Sequence, residues 1–151
     1  MNLIAPLIRP QNVLVDLDAA SKKRLFERVG QLFETTHGIS AAEVFESLFS
    51  REKLGSTALG YGIAIPHGRI KGLKEAACAC VRLKAPIDFD APDNLPVDLV
   101  FVLLVPATAT DVHLQILGEL AQMLSEPAFR EKLRHAPDAA HIHRAITEWR
   151  P

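Results

Sequence analysis

Residues 96–106 read Pro96-Val97-Asp98-Leu99-Val100-Phe101-Val102-Leu103-Leu104-Val105-Pro106. Between the two prolines, Asp98 is the one polar side chain. The run does not alternate, so it suits a central strand buried on both faces. It is far short of the roughly 20 residues that a membrane-spanning helix needs. A strand covered on both sides requires a layer of other elements on each face, and the flanking sequence supplies them.

Upstream, Ala76 to Leu83 and Asn12 to Leu17 read as further strands, with Val13, Leu14, Val15 and Leu17 apolar in the latter. Pro86, Asp88, Asp90, Pro92, Asp93, Asn94 and Pro96 punctuate a loop or irregular hairpin before the central strand, with Ile87 and Phe89 pointing one way. A helix is expected from about Ala20 to Thr36, where Leu25, Phe26, Val29, Leu32 and Phe33 share a face and His37-Gly38 stops the run. Ser40-Ala41-Ala42-Glu43 is a capping-box pattern that opens a second helix, with Val44, Phe45, Leu48 and Phe49 inward and Arg51 at its C-terminal end. Downstream, Thr108-Ala109-Thr110-Asp111 leads into a helix from about Val112 to Leu124, with Leu114, Leu117, Ala121 and Leu124 as inner positions. Pro127 starts a short helix through Leu133, and Pro137-Asp138 starts a last one with Ile142, Ala145, Ile146 and Trp149 on one face. Strands alternating with helices predict an α/β fold, a three-layer sandwich with helices on both faces of the sheet.

The chain has 151 residues, enough for one domain with a real core, and residues 1–151 are read as a single unit without repeats or linkers. Hydrophobic residues make up 48% and formal net charge is −1, which argues against a general nucleic-acid binder. The N-terminal stretch lacks a basic region and an ample apolar core, so no signal peptide and no membrane insertion are expected, and the cytoplasm is the expected location. Cys78 and Cys80 are two apart, so on a strand they share a face and are poorly placed for a disulfide. They read as buried thiols, and with no second pair a zinc site is not supported.

The chemistry concentrates in Arg51 to Gly68, R-E-K-L-G-S-T-A-L-G-Y-G-I-A-I-P-H-G. Its glycines Gly55, Gly60, Gly62 and Gly68 admit close approach, and Pro66 stiffens the step into His67. The expected result is a stiff loop, buried on one side, that presents the His67 imidazole to a visitor. Leu59, Tyr61, Ile63 and Ile65 are expected to form a small apolar docking patch around it. His113 falls in the first turn of a predicted helix, where free N–H groups and the helix dipole favour an anion and disfavour an imidazolium, so a neutral donor is expected there. Arg51 fits two readings: a cation satisfying the terminal carbonyls of its helix, or a guanidinium fork for phosphate. The remaining histidines, His37, His135, His141 and His143, read as surface or helix-end residues. The glycine spacing fits neither a P-loop nor a dinucleotide fingerprint.

Leu59-Gly60-x-x-Ile63-Ala64-Ile65-Pro66-His67-Gly68, with Glu52 seven residues before Leu59, resembles the signature of the type-2 enzyme IIA domains of the bacterial phosphoenolpyruvate-dependent phosphotransferase system, mannitol/fructose class. Arg51 to Thr57 and the run from Pro96 to Pro106 followed by His113-Leu114 resemble its nitrogen-regulatory branch most, and the similarity extends from about Pro6 to Trp149. The resemblance implies a mixed sheet, phosphorylation of His67, and assistance from His113 and Arg51. Beside these, Ser56 and Thr57 are expected to add hydroxyl donors, with Gly68 as further phosphate-binding support. The partners the resemblance implies are an HPr-like phosphocarrier that donates the group and regulatory target proteins that read the phosphorylated state. No cofactor and no metal are expected. Two alternatives stand beside it: a sugar-specific enzyme IIA that passes phosphate to a IIB domain, and a binding module in which His67 is only structural.

Overall fold

The apolar run is the middle of a six-stranded sheet in the computed structural model, which describes residues 2–108 and 110–151. Met1 and Ala109, within stretches read above, lie outside the described residues. The strands are β1 (Ile8–Leu17), β2 (Ala58–Gly60), β3 (Ile63–Ala64), β4 (His67–Ile70), β5 (Ala77–Ile87) and β6 (Val97–Pro106). The helices are α1 (Lys22–His37), α2 (Ala41–Leu54), α3 (Asp111–Leu124), α4 (Pro127–His135) and α5 (Ala139–Glu148). The order is β1-β5-β6-β3-β2, with β4 also on β6. β1 runs parallel to β5, and β3 and β4 run parallel to β6, whereas β5 is antiparallel to β6 and β2 to β3, so the sheet is mixed.

The side chains of β6 decide the layering. Val100, Val102 and Leu104 face one core with Leu25, Phe26, Val29 and Phe33 of α1 and Val44 and Leu48 of α2. Leu99, Phe101 and Leu103 face the other, with Ile116 and Leu120 of α3, Leu133 of α4, and Ile142 and Ile146 of α5. Residues Leu99 to Leu104 are fully buried, and each large apolar side chain so placed contributes roughly 1.5–3 kcal/mol. Asp98 sits at the strand's start, where Arg134 grips both carboxylate oxygens (Nη2–Oδ1 2.9 Å, Nε–Oδ2 3.1 Å) and so satisfies a half-buried charge. Cys78 and Cys80 share the α3–α5 core as buried free thiols, and burial pushes the Cys78 thiol up to about 12 and Cys80 up as well. Among the described residues no helix is long and apolar enough to cross a membrane.

The caps explain the helix ends. The Ser21 and Ser40 side chains accept from the N–H groups of Arg24 and Glu43, and Gly38 ends α1 with φ 69°. Three expectations need correction. β5 runs past Leu83 through Pro86 to Ile87, because its pairing with β6 shifts register between Arg82 and Ile87, and a residue without an N–H is tolerated in that gap. β1 begins at Ile8 rather than Asn12, with Pro10 on an edge strand. In α3 the buried positions are Ile116, Leu120, Met123 and Leu124, whereas Leu114 is 66% exposed. The N-terminal half of α3 is apolar on more than one side, and the sequence offers two stripes at helical spacing.

The glycine-rich stretch is not one loop. β2 and β3 form a small hairpin whose two central residues, Tyr61 and Gly62, both have positive φ (58° and 77°), as a two-residue turn of this hand requires. β3 and β4 then lie end to end along the same edge of β6. Pro66 joins them. It lacks an N–H, but its carbonyl still accepts from Leu103 N at 3.0 Å, so the edge of β6 stays paired through the proline. His67, the first residue of β4, is thereby registered opposite Leu103.

Candidate active site

Three elements converge on a cleft of about 520 Å³. β4 brings His67 and Gly68, the last turn of α2 brings Arg51, and the first turn of α3 brings Thr110 and His113. Leu103 and Val105 of β6 lie beneath them, and Leu54 and Leu114 stand at the rim, 85% and 66% exposed.

His67 is held by its own strand. Its Nδ1 lies 2.9 Å from the carbonyl oxygen of Ile65. A carbonyl only accepts, so Nδ1 carries the hydrogen and Nε2 keeps a lone pair. The neighbouring Gly68 is required by packing: a Cβ there would run into the Ser47 hydroxyl of α2, and that hydroxyl donates to Arg69 O at 2.8 Å. The close approach draws α2 against β4 and sets Arg51 beside His67 in one cleft.

Arg51 holds a helix-end carbonyl and also faces the cleft. Its Nη1 donates to Gly55 O at 2.9 Å, at the C-terminal end of α2, and the residue lines the cleft. His113 is tied to the start of α3 by reciprocal bonds. His113 N–H donates to Thr110 O at 3.0 Å, and Thr110 N–H donates to His113 Nδ1 at 2.9 Å. The first turn of α3, with its helix N-terminus, thus lines the same cleft as His67.

Ser56 and Thr57 do not line this cleft, which corrects the expectation of hydroxyl support. Ser56 Oγ donates to Phe89 O at 2.5 Å, and Thr57 Oγ1 donates to Glu52 Oε1 at 2.6 Å. Glu52 is 6% exposed and also accepts from Thr57 N–H (3.0 Å) and Lys22 Nζ (3.1 Å). Glu52, Thr57 and Ser56 therefore form a clasp that fixes the chain after α2. Of the expected apolar patch, Leu59 and Tyr61 are exposed, but neither lines the cleft. Ile63 and Ile65 are buried in the core, and Tyr61 lies under the Arg130 guanidinium, 4.4 Å from its ring centre. The exposed apolar groups at the cleft are Leu54 and Leu114.

Sequence reading missed Ser47, Ser50, Arg69 and Thr110 as lining residues. For Arg69 a signal was present, since residues two apart on a strand share a face with His67 once β4 is read as a strand. His37, His135, His141 and His143 lie outside the cleft. Among the described residues no three His, Cys, Asp or Glu side chains gather as a metal-ligand set.

The fold that carries this cleft is shared with proteins already known. A solved structure of the nitrogen regulatory protein IIA-Ntr from Neisseria meningitidis superposes with a TM-score of 0.91 at 46% identity, covering 97% of this chain and 100% of that one. The mannitol IIA of Escherichia coli shares the fold, with a TM-score of 0.77 at 20% identity over 91% of this chain and 97% of that one. The nitrogen regulatory protein of Pseudomonas aeruginosa is 43% identical over 143 residues, 94% of this chain and 93% of its own length. Residues 6–149 match the family described as "Phosphoenolpyruvate-dependent sugar phosphotransferase system, EIIA 2". The chain belongs to that family of phosphoryl carriers, and among the relatives described here it is most similar to the nitrogen regulatory proteins.

Proposed function

We propose that this protein accepts a phosphoryl group on His67 Nε2 from the phosphohistidine of an HPr-like carrier, and that its phosphorylation state regulates target proteins in the cytoplasm. The observation that carries the reading is the Nδ1–H bond from His67 to Ile65 O, which leaves the Nε2 lone pair as the nucleophile in a cleft that also holds Arg51 and His113. In the transfer, Nε2 forms a bond to phosphorus as the P–N bond of the donor breaks, and the electron pair of that bond returns to the donor ring. His67 keeps its Nδ1 hydrogen, with Ile65 O accepting it before and after. Such a transfer asks the protein for in-line positioning and for neutralisation of the equatorial oxygens. Arg51 supplies fixed charge and a donor fork, and the start of α3, with His113, supplies N–H groups and the positive end of the helix dipole. Gly68 supports the site by letting α2 approach.

The reading is tested with phosphoenolpyruvate, enzyme I and the carrier. Wild type gains acid-labile phosphate at His67, and His67→Ala gains none while keeping its circular dichroism spectrum. Arg51→Ala still labels at His67, more slowly. Label on another histidine of the His67→Ala variant overturns the assignment. A wild type that gains no label is the binding module instead.

A further inference from the structure

The cleft holds two imidazoles, and each has one ring nitrogen tied to backbone, but to groups of opposite kind. Ile65 offers His67 a carbonyl, and Thr110 offers His113 an N–H. A neutral ring carries a single hydrogen. The nitrogen that accepts from a backbone N–H cannot hold it, so the hydrogen of His113 sits on Nε2. The two backbone groups therefore prepare one ring as a lone-pair bearer and the other as a hydrogen-bond donor.

We infer that the backbone N–H of Thr110 is a positioning group for phosphoryl transfer, holding His113 as the Nε2–H tautomer that donates to the phosphoryl oxygens. The inference rests on the phosphoryl-acceptor role proposed for His67. Thr110 precedes the first residue of α3, and His113 is the third residue of that helix, the place where a glutamate or glutamine side chain ordinarily reaches back to the cap residue's N–H. A carboxylate there would face an incoming phosphate with like charge. An imidazole closes the same turn through Nδ1 and turns a neutral donor outward from its other nitrogen. A hydrogen on Nδ1 would set N–H against N–H and open the turn, so the cap selects between the two tautomers. The charged groups near the ring are Asp111 of α3, Arg51 of α2 and Arg69 of β4, all lining the cleft, along with His67.

The test begins with the free wild-type protein and correlates each ring nitrogen of His113 with its ring carbons' hydrogens by nitrogen-15 NMR near neutral pH. The expected result is a protonated Nε2 and an unprotonated Nδ1. Thr110 is then replaced by the corresponding α-hydroxy acid, so that an ester oxygen stands where the N–H was. The Nε2–H preference is expected to be lost, and the transfer rate from phospho-carrier is expected to fall on the order of tenfold, the cost of weakening one hydrogen bond to a charged group. Thr110→Ala, which keeps the N–H, retains the wild-type tautomer. A His113 ring protonated on Nδ1 in the wild type overturns the inference. A tautomer and a rate that do not change together in the ester variant also overturn it. If the ester unfolds the turn, the wild-type spectrum alone decides. That spectrum needs no carrier, so it is independent of whether His67 takes the label.

Discussion

His37 shows how one proton is tied to the fold. The Asn12 side-chain amide is buried in β1, and its Nδ2 lies 3.0 Å from His37 Nε2 and 3.2 Å from Cys78 O. Turning the amide over would set its oxygen against the Cys78 carbonyl, so the NH₂ donates to both and His37 Nε2 must be unprotonated. Burial, with the Arg9 guanidinium nearby, holds the His37 pKa below the ordinary 6.5. The unfolded chain then binds more protons than the folded one between the lowered value and 6.5. This contribution to stability is full above about pH 6.5 and is lost as pH falls through the folded value. The urea midpoint should therefore drop between about pH 7.5 and pH 5.5. His37→Gln should flatten part of that drop, because its amide oxygen accepts from Asn12 without titrating. Parallel profiles for the two proteins would place the proton elsewhere.

At the scale of elements, the contact between α2 and β4 carries the site. Gly68→Ala puts a methyl group against Ser47 and pushes α2 away from β4. We expect a loss of roughly 1–3 kcal/mol in urea unfolding, the usual cost of overpacking, and slower labelling of His67 because Arg51 moves with its helix. An unchanged labelling rate in a destabilised variant would separate packing from positioning. The elements themselves were largely legible in the sequence. The uninterrupted run from Val97 to Val105 announced a strand covered on both faces, and Ser40 and Gly38 announced where helices start and stop. The β2–β3 hairpin and β4 were not legible, because their pairing depends on an edge of β6 distant in sequence, and a two-residue strand has no periodicity to read. Pro86 read as a breaker because its tolerance depends on a register shift visible only across two strands. In the candidate site, motif and helix-end chemistry singled out His67, Arg51 and His113, and the fold gathers these three along one cleft. Ser56 and Thr57 were misplaced because a hydroxyl's partner is a matter of folding: here Phe89 O and Glu52, contributed from either side of the loop.

For the whole molecule, the cleft lies between two helical layers. Leu54 comes from α2 on one face of the sheet and Leu114 from α3 on the other, and both stand at the rim largely exposed. A partner that reaches His67 must bridge the two. Replacing both leucines by serine is expected to raise the KM for phospho-carrier several-fold, about 1 kcal/mol for the pair at a partly buried contact. Because both side chains are exposed, the urea midpoint should hardly move. A KM that does not move would put the docking contact elsewhere on the surface.

β1 is the margin of the sheet remote from the cleft, ten residues long and open on one side. A strand of that length is a template on which other chains can stack, but this one is spoiled as a template along its length. Pro10 removes a donor near its start, the pairing with β5 slips twice, and Asp16 bends the end with φ 55°. The carbonyl of Ile8 is already taken by His143 Nε2 at 3.0 Å. A stray β-strand arriving there meets an interrupted row of partners, so the irregularities of β1 guard the protein against edge-to-edge aggregation while the opposite side of the sheet remains free for traffic.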